Sequence, residues 1–186
     1  MEKKIFIISI SSPSGGGKTT IINLLGNKLD NSAVLCFDDY DFIDDPGDDQ
    51  FNKDLTQYDY NKWELKPLIN DIEKILLENK YDYLLLDYPF SYCNNKIKNY
   101  INFSVYIDVP LDIAMARRII RDYNENMDIK TEMKNYLEYG RIGYTDMIKY
   151  VKPTCDLILD GKNRPEEIIE IIIEKIKEYK AKLYFA

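Results

Sequence analysis

At 186 residues, 45% of them hydrophobic and 31% charged, the chain has room for a sizeable core and is too apolar to be disordered. Its net charge of −7 argues against duplex nucleic acid as a partner, and the lack of any histidine excludes Ser-His or Cys-His nucleophilic catalysis and HExxH metal chemistry. Cys36, Cys93 and Cys155 form no CxxC pair and no apolar run approaches the roughly 18 residues of a membrane span, so a reduced, cytoplasmic setting with no membrane partner is expected.

In chain order, Met1-Glu2-Lys3-Lys4 and the apolar run Ile5 to Ile10 faintly imitate a signal peptide. The run is short and passes into a glycine-rich turn with no small-residue cleavage site, so it is read as a buried strand. Ser12-Pro13-Ser14-Gly15-Gly16-Gly17-Lys18-Thr19-Thr20 follows, and then Ile21, Ile22, Leu24, Leu25 and Leu29 recur at helical spacing. Ser32 to Phe37 reads as a second strand, running through Asp38-Asp39-Tyr40 into an acidic loop from Ile43 to about Asp54. A helix is expected over Asn61 to Asn79, strands over Tyr83 to Asp87 and Phe103 to Asp108, and a helix over Leu111 to Asp122. Tyr123 to Lys130 is polar and irregular; Thr131 to Val151 reads as a helix despite Gly140 and Gly143. Leu157 to Leu159 is a fifth strand, and Pro165 opens a last helix running to about Leu183. Strands alternating with helices predict a parallel sheet covered on both faces, with ligands at the carboxyl ends of the strands.

Strand, glycine-rich turn, Gly-Lys-Thr and helix make the context of a phosphate-binding P-loop, or Walker A motif. Glycines let successive backbone N–H groups approach an anion, and the following helix adds its unpaired N–H groups. Ser14 to Thr20 are therefore the expected nucleotide-binding residues, with Lys18 on the terminal phosphates and Thr19 on Mg²⁺. The full pattern opens on a glycine, and Ser12 stands in that place. Asp87 ends an apolar strand, as a Walker B carboxylate that holds Mg²⁺ does. Asp38 and Asp39 end the strand after the P-loop helix, where a carboxylate can accept the proton of an attacking hydroxyl. Three of the chain's five arginines, Arg117, Arg118 and Arg121, fall within five residues. In a chain that uses twenty lysines, that concentration points to the planar guanidinium fork on phosphate oxygens, the plainer alternative being a solvated helix face paired with Asp112 and Asp122. Asn27-Lys28-Leu29-Asp30 and Asp44-Asp45-Pro46-Gly47 match GTPase NKxD and DxxG motifs, but their order along the chain is wrong for a GTPase.

Together these stretches resemble the uridine kinase and nicotinamide riboside kinase-like family of P-loop nucleoside kinases. The likeness runs from Ser9 to Thr20, through Phe37-Asp38-Asp39-Tyr40 and Leu55-Thr56-Gln57-Tyr58-Asp59-Tyr60, to Ala116-Arg117-Arg118-Ile119-Ile120-Arg121-Asp122. It implies a three-layer α/β P-loop NTPase fold with a five-stranded parallel sheet, formed by one domain over 1–186 with a small helical lid at about 117–135. It implies ATP and Mg²⁺ as cofactors and a small-molecule hydroxyl, foremost a nucleoside's, as acceptor, and leaves homo-oligomerisation open. On this likeness Asp38 is the base, Asp59 binds ribose hydroxyls beside Tyr40, Lys18, Arg117 and Arg121 act in transfer, and Arg118 holds nucleotide. Three places depart from the family pattern. A hairpin before the Walker B strand is missing after Glu78, Tyr88-Pro89 replaces a Glu-Gly pair, and Tyr123 to Lys130 lacks a further lid arginine. Kinases of a vitamin precursor or a nucleoside monophosphate, and a regulatory module that binds ATP without turnover, are the alternative readings.

Overall fold

A computed structural model describes residues 5–42 and 59–185. The acidic loop expected from Ile43, the DxxG match and Leu55 to Tyr58 lie outside the described residues, as do Met1 to Lys4. The elements are β1 (Phe6–Ser11), α1 (Lys18–Lys28), β2 (Ser32–Cys36), α2 (Lys66–Glu78), β3 (Tyr83–Asp87), β4 (Phe103–Asp108), α3 (Leu111–Asp122), α4 (Ile129–Asn135), α5 (Arg141–Asp146), β5 (Leu157–Asp160) and α6 (Pro165–Phe185). The strands form one parallel sheet in the order β2-β3-β1-β4-β5. This is the three-layer P-loop NTPase architecture expected from the alternation of strands and helices.

The period-two alternation of a strand explains the layers. On β1, Phe6, Ile8 and Ile10 face one way and pack with Ile21, Ile22 and Leu25 of α1, Ala114 of α3, and Ile168 and Ile172 of α6. Ile7 faces the other way, with Leu84 and Leu86 of β3, Leu68 and Ile72 of α2, and Met147 and Val151. Covered on both faces, all six residues of β1 are buried, as a central parallel strand requires. Each fully buried isoleucine contributes about 1.5–3 kcal/mol.

The boundaries differ from expectation where local polar groups decide them. The helix expected from Asn61 begins at Lys66, with Pro67 in its first turn. Before it, Tyr60–Lys62 is a 3₁₀ turn in which the Asp59 carboxylate accepts from the Asn61 N–H at 3.0 Å, so Trp63 and Leu65 stand outside the helix. The helix expected from Thr131 begins at Ile129, because the Asp128 carboxylate accepts from the N–H groups of Lys130 and Thr131. It runs on over 129–151 as α4, a wide π turn at Tyr136–Gly140, α5, and a second π turn at Met147–Val151. The strand expected to end at Phe37 ends at Cys36, and Phe37–Asp39 is a 3₁₀ turn. Among the described residues, no helix is long and apolar enough to cross a membrane.

Candidate active site

The carboxyl ends of the strands open onto a cavity of about 960 Å³. Ser14 to Thr20 line one side of it. The loop is held from below: the Ser11 hydroxyl donates to the Tyr88 carbonyl at 2.9 Å, and the Gly16 N–H donates to the Pro13 carbonyl at 2.9 Å. Ser12, in the place of the pattern's first glycine, is 1% exposed, and its hydroxyl donates to the Pro13 carbonyl. It also fills the space beside Gly16, where a Cβ would stand 1.9 Å from the Ser12 Oγ. Gly15 (φ +79°) and Gly17 (φ +95°) take left-handed backbone that side chains rarely adopt. Gly15 has a second role. A Cβ there would stand 2.0 Å from the Ala114 carbonyl oxygen and 3.1 Å from the Arg118 nitrogen, so its hydrogen is what lets α3 rest on the loop.

Gly17 starts α1, whose first N–H groups face the cavity with Lys18 and Thr19. The Lys18 ammonium donates to the Ser12 carbonyl at 3.2 Å, spanning the loop. The Thr19 hydroxyl donates to Asp87 Oδ2 at 2.7 Å. Asp87 is 3% exposed and ends β3, paired in register with Ile10 on one side and Cys36 on the other. These two oxygens converge beside the loop, which fits a hard divalent cation that takes its remaining ligands from phosphate and water. Among the described residues no cluster of three or more His, Cys, Asp or Glu side chains forms an all-protein metal cage. Burial, and then the charge of Asp87, push the Cys36 thiol up to about 11, so this neighbour stays a neutral thiol.

Asp38 lines the same cavity from the turn that follows β2. Across from the loop, α3 supplies Arg117 and Arg121 to the lining. Arg117 Nη1 donates to the Gly161 carbonyl at 3.3 Å. Arg121 forks onto Asp122, at 2.6 and 2.9 Å, which holds the Asp122 carboxyl below its usual range. The Arg121 guanidinium also feels the charge of Asp38. Arg118 turns elsewhere, to Glu132 at 3.5 Å and Asp122 at 3.7 Å, and is not in the lining. The solvated helix-face pairing weighed for these arginines is thus real for Arg118 and Arg121 in this arrangement. Tyr40 and Asp59 are not in the lining either. Tyr40 donates to Asp71 at 2.9 Å, and burial together with that bond raises its hydroxyl above the usual range. The Asp59 carboxylate is engaged with Asn61.

Sequence reading missed an aromatic wall. Phe37, Trp63 and Phe90 line the cavity beside Asp38, with ring centroids 5.1 Å (Phe37–Trp63), 5.4 Å (Phe37–Phe90) and 5.6 Å (Trp63–Phe90) apart. Tyr144 and Met147 join them from the 129–151 helix, and Asn163 and Pro165 line the end near Arg117. Tyr88-Pro89-Phe90, directly after Asp87 at a strand's carboxyl end, carried a signal for this wall. Trp63 gave none, being absorbed into the expected helix.

The family model described as "Phosphoribulokinase / Uridine kinase family" matches residues 48–163, which take in Asp87, the α3 arginines and Tyr144 but not the P-loop. A protein named uridine kinase from Borrelia duttonii (strain Ly) is 25% identical over 193 aligned residues, covering 92% of this chain and 94% of that one. Another of that name, from Anoxybacillus flavithermus (strain DSM 21510 / WK1), is 23% identical and covers 95% and 96%. Among solved structures, shikimate kinase from Aquifex aeolicus matches with TM-score 0.51 and 18% identity, covering 95% of this chain and 99% of that one. Deoxyadenosine kinase from M. mycoides matches with TM-score 0.53 and 15% identity, covering 93% and 100%, and at such identities both likenesses speak for the fold alone. The P-loop cavity and the family match lead to one conclusion: this chain is a P-loop phosphotransferase of the kinase type and belongs to the phosphoribulokinase / uridine kinase family.

Proposed function

We propose that the protein is an ATP-dependent kinase that phosphorylates a hydroxyl of a nucleoside, with uridine the first acceptor to test. One observation carries this reading. A single cavity holds the phosphate loop, the Thr19–Asp87 oxygen pair, the Asp38 carboxylate and the Phe37, Trp63 and Phe90 wall. Phosphate binding alone needs only the loop. A carboxylate beside a flat apolar wall supports a ring-bearing hydroxyl compound as the second ligand. The uridine kinases among its relatives support the same acceptor class.

In this reading the N–H groups of Gly15 to Thr19 and the start of α1 hold the triphosphate, and Lys18 leaves the Ser12 carbonyl for the terminal phosphates. Thr19 and Asp87 hold Mg²⁺, which when bound offsets charge on the transferring group. Asp38 accepts the proton of the acceptor hydroxyl. Arg117 and Arg121 face the developing charge from α3, Arg121 exchanging its Asp122 fork for phosphate oxygens. Arg118, and the stretch at about 117–135 as a lid, join by moving; Asp59 with Tyr40 approaches a ribose diol in the same way. The whole chain, 1–186, acts as one domain.

The test is ADP release from ATP and Mg²⁺ with uridine, cytidine, nicotinamide riboside, pantothenate and uridine monophosphate offered singly. A nucleoside should stimulate release well above the acceptor-free rate. Stimulation by pantothenate or the monophosphate alone would replace the nucleoside by another acceptor, and stimulation by none would favour a module that binds ATP without transfer.

A further inference from the structure

Tyr144 belongs to none of the motifs that point to phosphate chemistry, yet it lines the cavity. It lies on α5, between the π turns at Tyr136–Gly140 and Met147–Val151. Such turns widen a helix locally and are frequent where a helix must direct side chains into a site. Tyr144, between the two turns, and Met147, which opens the second, lie three residues apart, and both line the cavity. The Tyr144 ring is half-buried and packs against Tyr136, centroids 6.2 Å apart. Tyr144 also packs against the apolar cluster that includes Phe90 and Met147, against which Phe37 and Trp63 pack as well. Its hydroxyl has no hydrogen-bond partner among the described residues. Arg121 and Asp38 line the same cavity.

We propose that Tyr144 is a specificity-determining residue of the acceptor subsite, its ring extending the wall of Phe37, Trp63 and Phe90 and its hydroxyl hydrogen-bonding a polar edge of the acceptor near Asp38. The inference rests on the nucleoside reading of the cavity. A hydroxyl in the lining that no described protein group engages is available to a ligand, and an apolar ring wall alone discriminates weakly between ligands of similar shape.

Trp63, the only tryptophan in the chain, lines the cavity and reports acceptor binding without turnover. Tyr144→Phe keeps the ring and removes the hydroxyl; Tyr144→Ala removes both. Uridine, cytidine and nicotinamide riboside are titrated against Trp63 fluorescence in the presence of Mg²⁺ and a non-hydrolysable ATP analogue. Steady-state KM values for the same acceptors and for ATP are measured alongside. For the best-bound acceptor, Tyr144→Phe should weaken binding and raise KM by about three- to tenfold, one hydrogen bond's worth. ATP KM and kcat should stay within about twofold of wild type. Tyr144→Ala should lose a further factor of about ten. Unchanged acceptor affinity in Tyr144→Phe overturns the inference, and so does a parallel rise in ATP KM, which would put the hydroxyl on the nucleotide side. Wild-type binding without any ADP release would contradict the proposed activity and leave the Tyr144 comparison readable. Fluorescence that responds to no acceptor would overturn the subsite itself.

Discussion

Asp38 stands in the first turn after β2, in a cavity that also holds Lys18 and Arg121. Replacing it by asparagine keeps the shape and removes the proton acceptor. Asp38→Asn should retain ATP affinity and lower kcat by about 10²-fold or more, measured in the ADP-release assay. An unchanged kcat would move the role to Asp39 or to another group. Next to this turn, Cys36 offers a check on the electrostatics. A thiol raised to about 11 is almost wholly protonated at pH 8, where an ordinary thiol of pKa about 8.5 is about a quarter thiolate. Cys93 and Cys155 are also shifted upward, chiefly by burial. Alkylation of the native protein should therefore be slow at pH 8, quicken toward pH 11, and become fast at pH 8 only on unfolding. Rapid labelling of Cys36 in the native state, read by peptide mass analysis, would contradict the crowded, negative surroundings described for it.

At the scale of elements, the loop and α3 are one unit because Gly15 lies under Ala114. Gly15→Ala forces a left-handed alanine and drives a Cβ onto backbone that cannot yield unless α3 moves. It should cost about 2 kcal/mol or more of stability and weaken ATP binding, seen as a lowered Tm and a raised ATP KM. A variant with wild-type Tm and KM would show that α3 is not seated on the loop. The sheet, α1, α3 and α6 were legible because their apolar residues follow clean periods of two or 3.6. The P-loop was legible because glycine, lysine and threonine at fixed spacing have few other uses. What escaped the sequence was set by single polar contacts or by distance. The Asp59–Asn61 bond makes a 3₁₀ turn that leaves Trp63 outside the expected helix, and Tyr144, on the helix between two π turns, lines the cavity. No local pattern shows that Phe37, Trp63, Phe90 and Tyr144, drawn from four separate stretches, line one cavity with Asp38. The reverse also holds. Tyr40, Asp59 and Arg118 sit in stretches that resemble the kinase pattern, but each side chain here has a partner outside the lining of the cavity.

Over the whole molecule, ligand binding should couple to stability, since loop, sheet and α3 meet at one cavity. ATP with Mg²⁺ at about 100 times its Kd should add about 2.7 kcal/mol, raising Tm by about 5–10 °C in a chain of this size. Chelating the metal should remove much of that rise, and Lys18→Ala should abolish it. An equal rise in Lys18→Ala would mean that ATP binds away from the loop. The central claim is that this cavity moves a phosphate from ATP to a nucleoside hydroxyl. It is tested most directly by incubating the protein with Mg²⁺, uridine and ATP labelled in its γ-phosphate, and separating the products. The account predicts label in uridine monophosphate with wild-type protein, and at least about a hundredfold less with Asp38→Asn. Label found only in inorganic phosphate, with none on uridine, cytidine or nicotinamide riboside offered in turn, would contradict it.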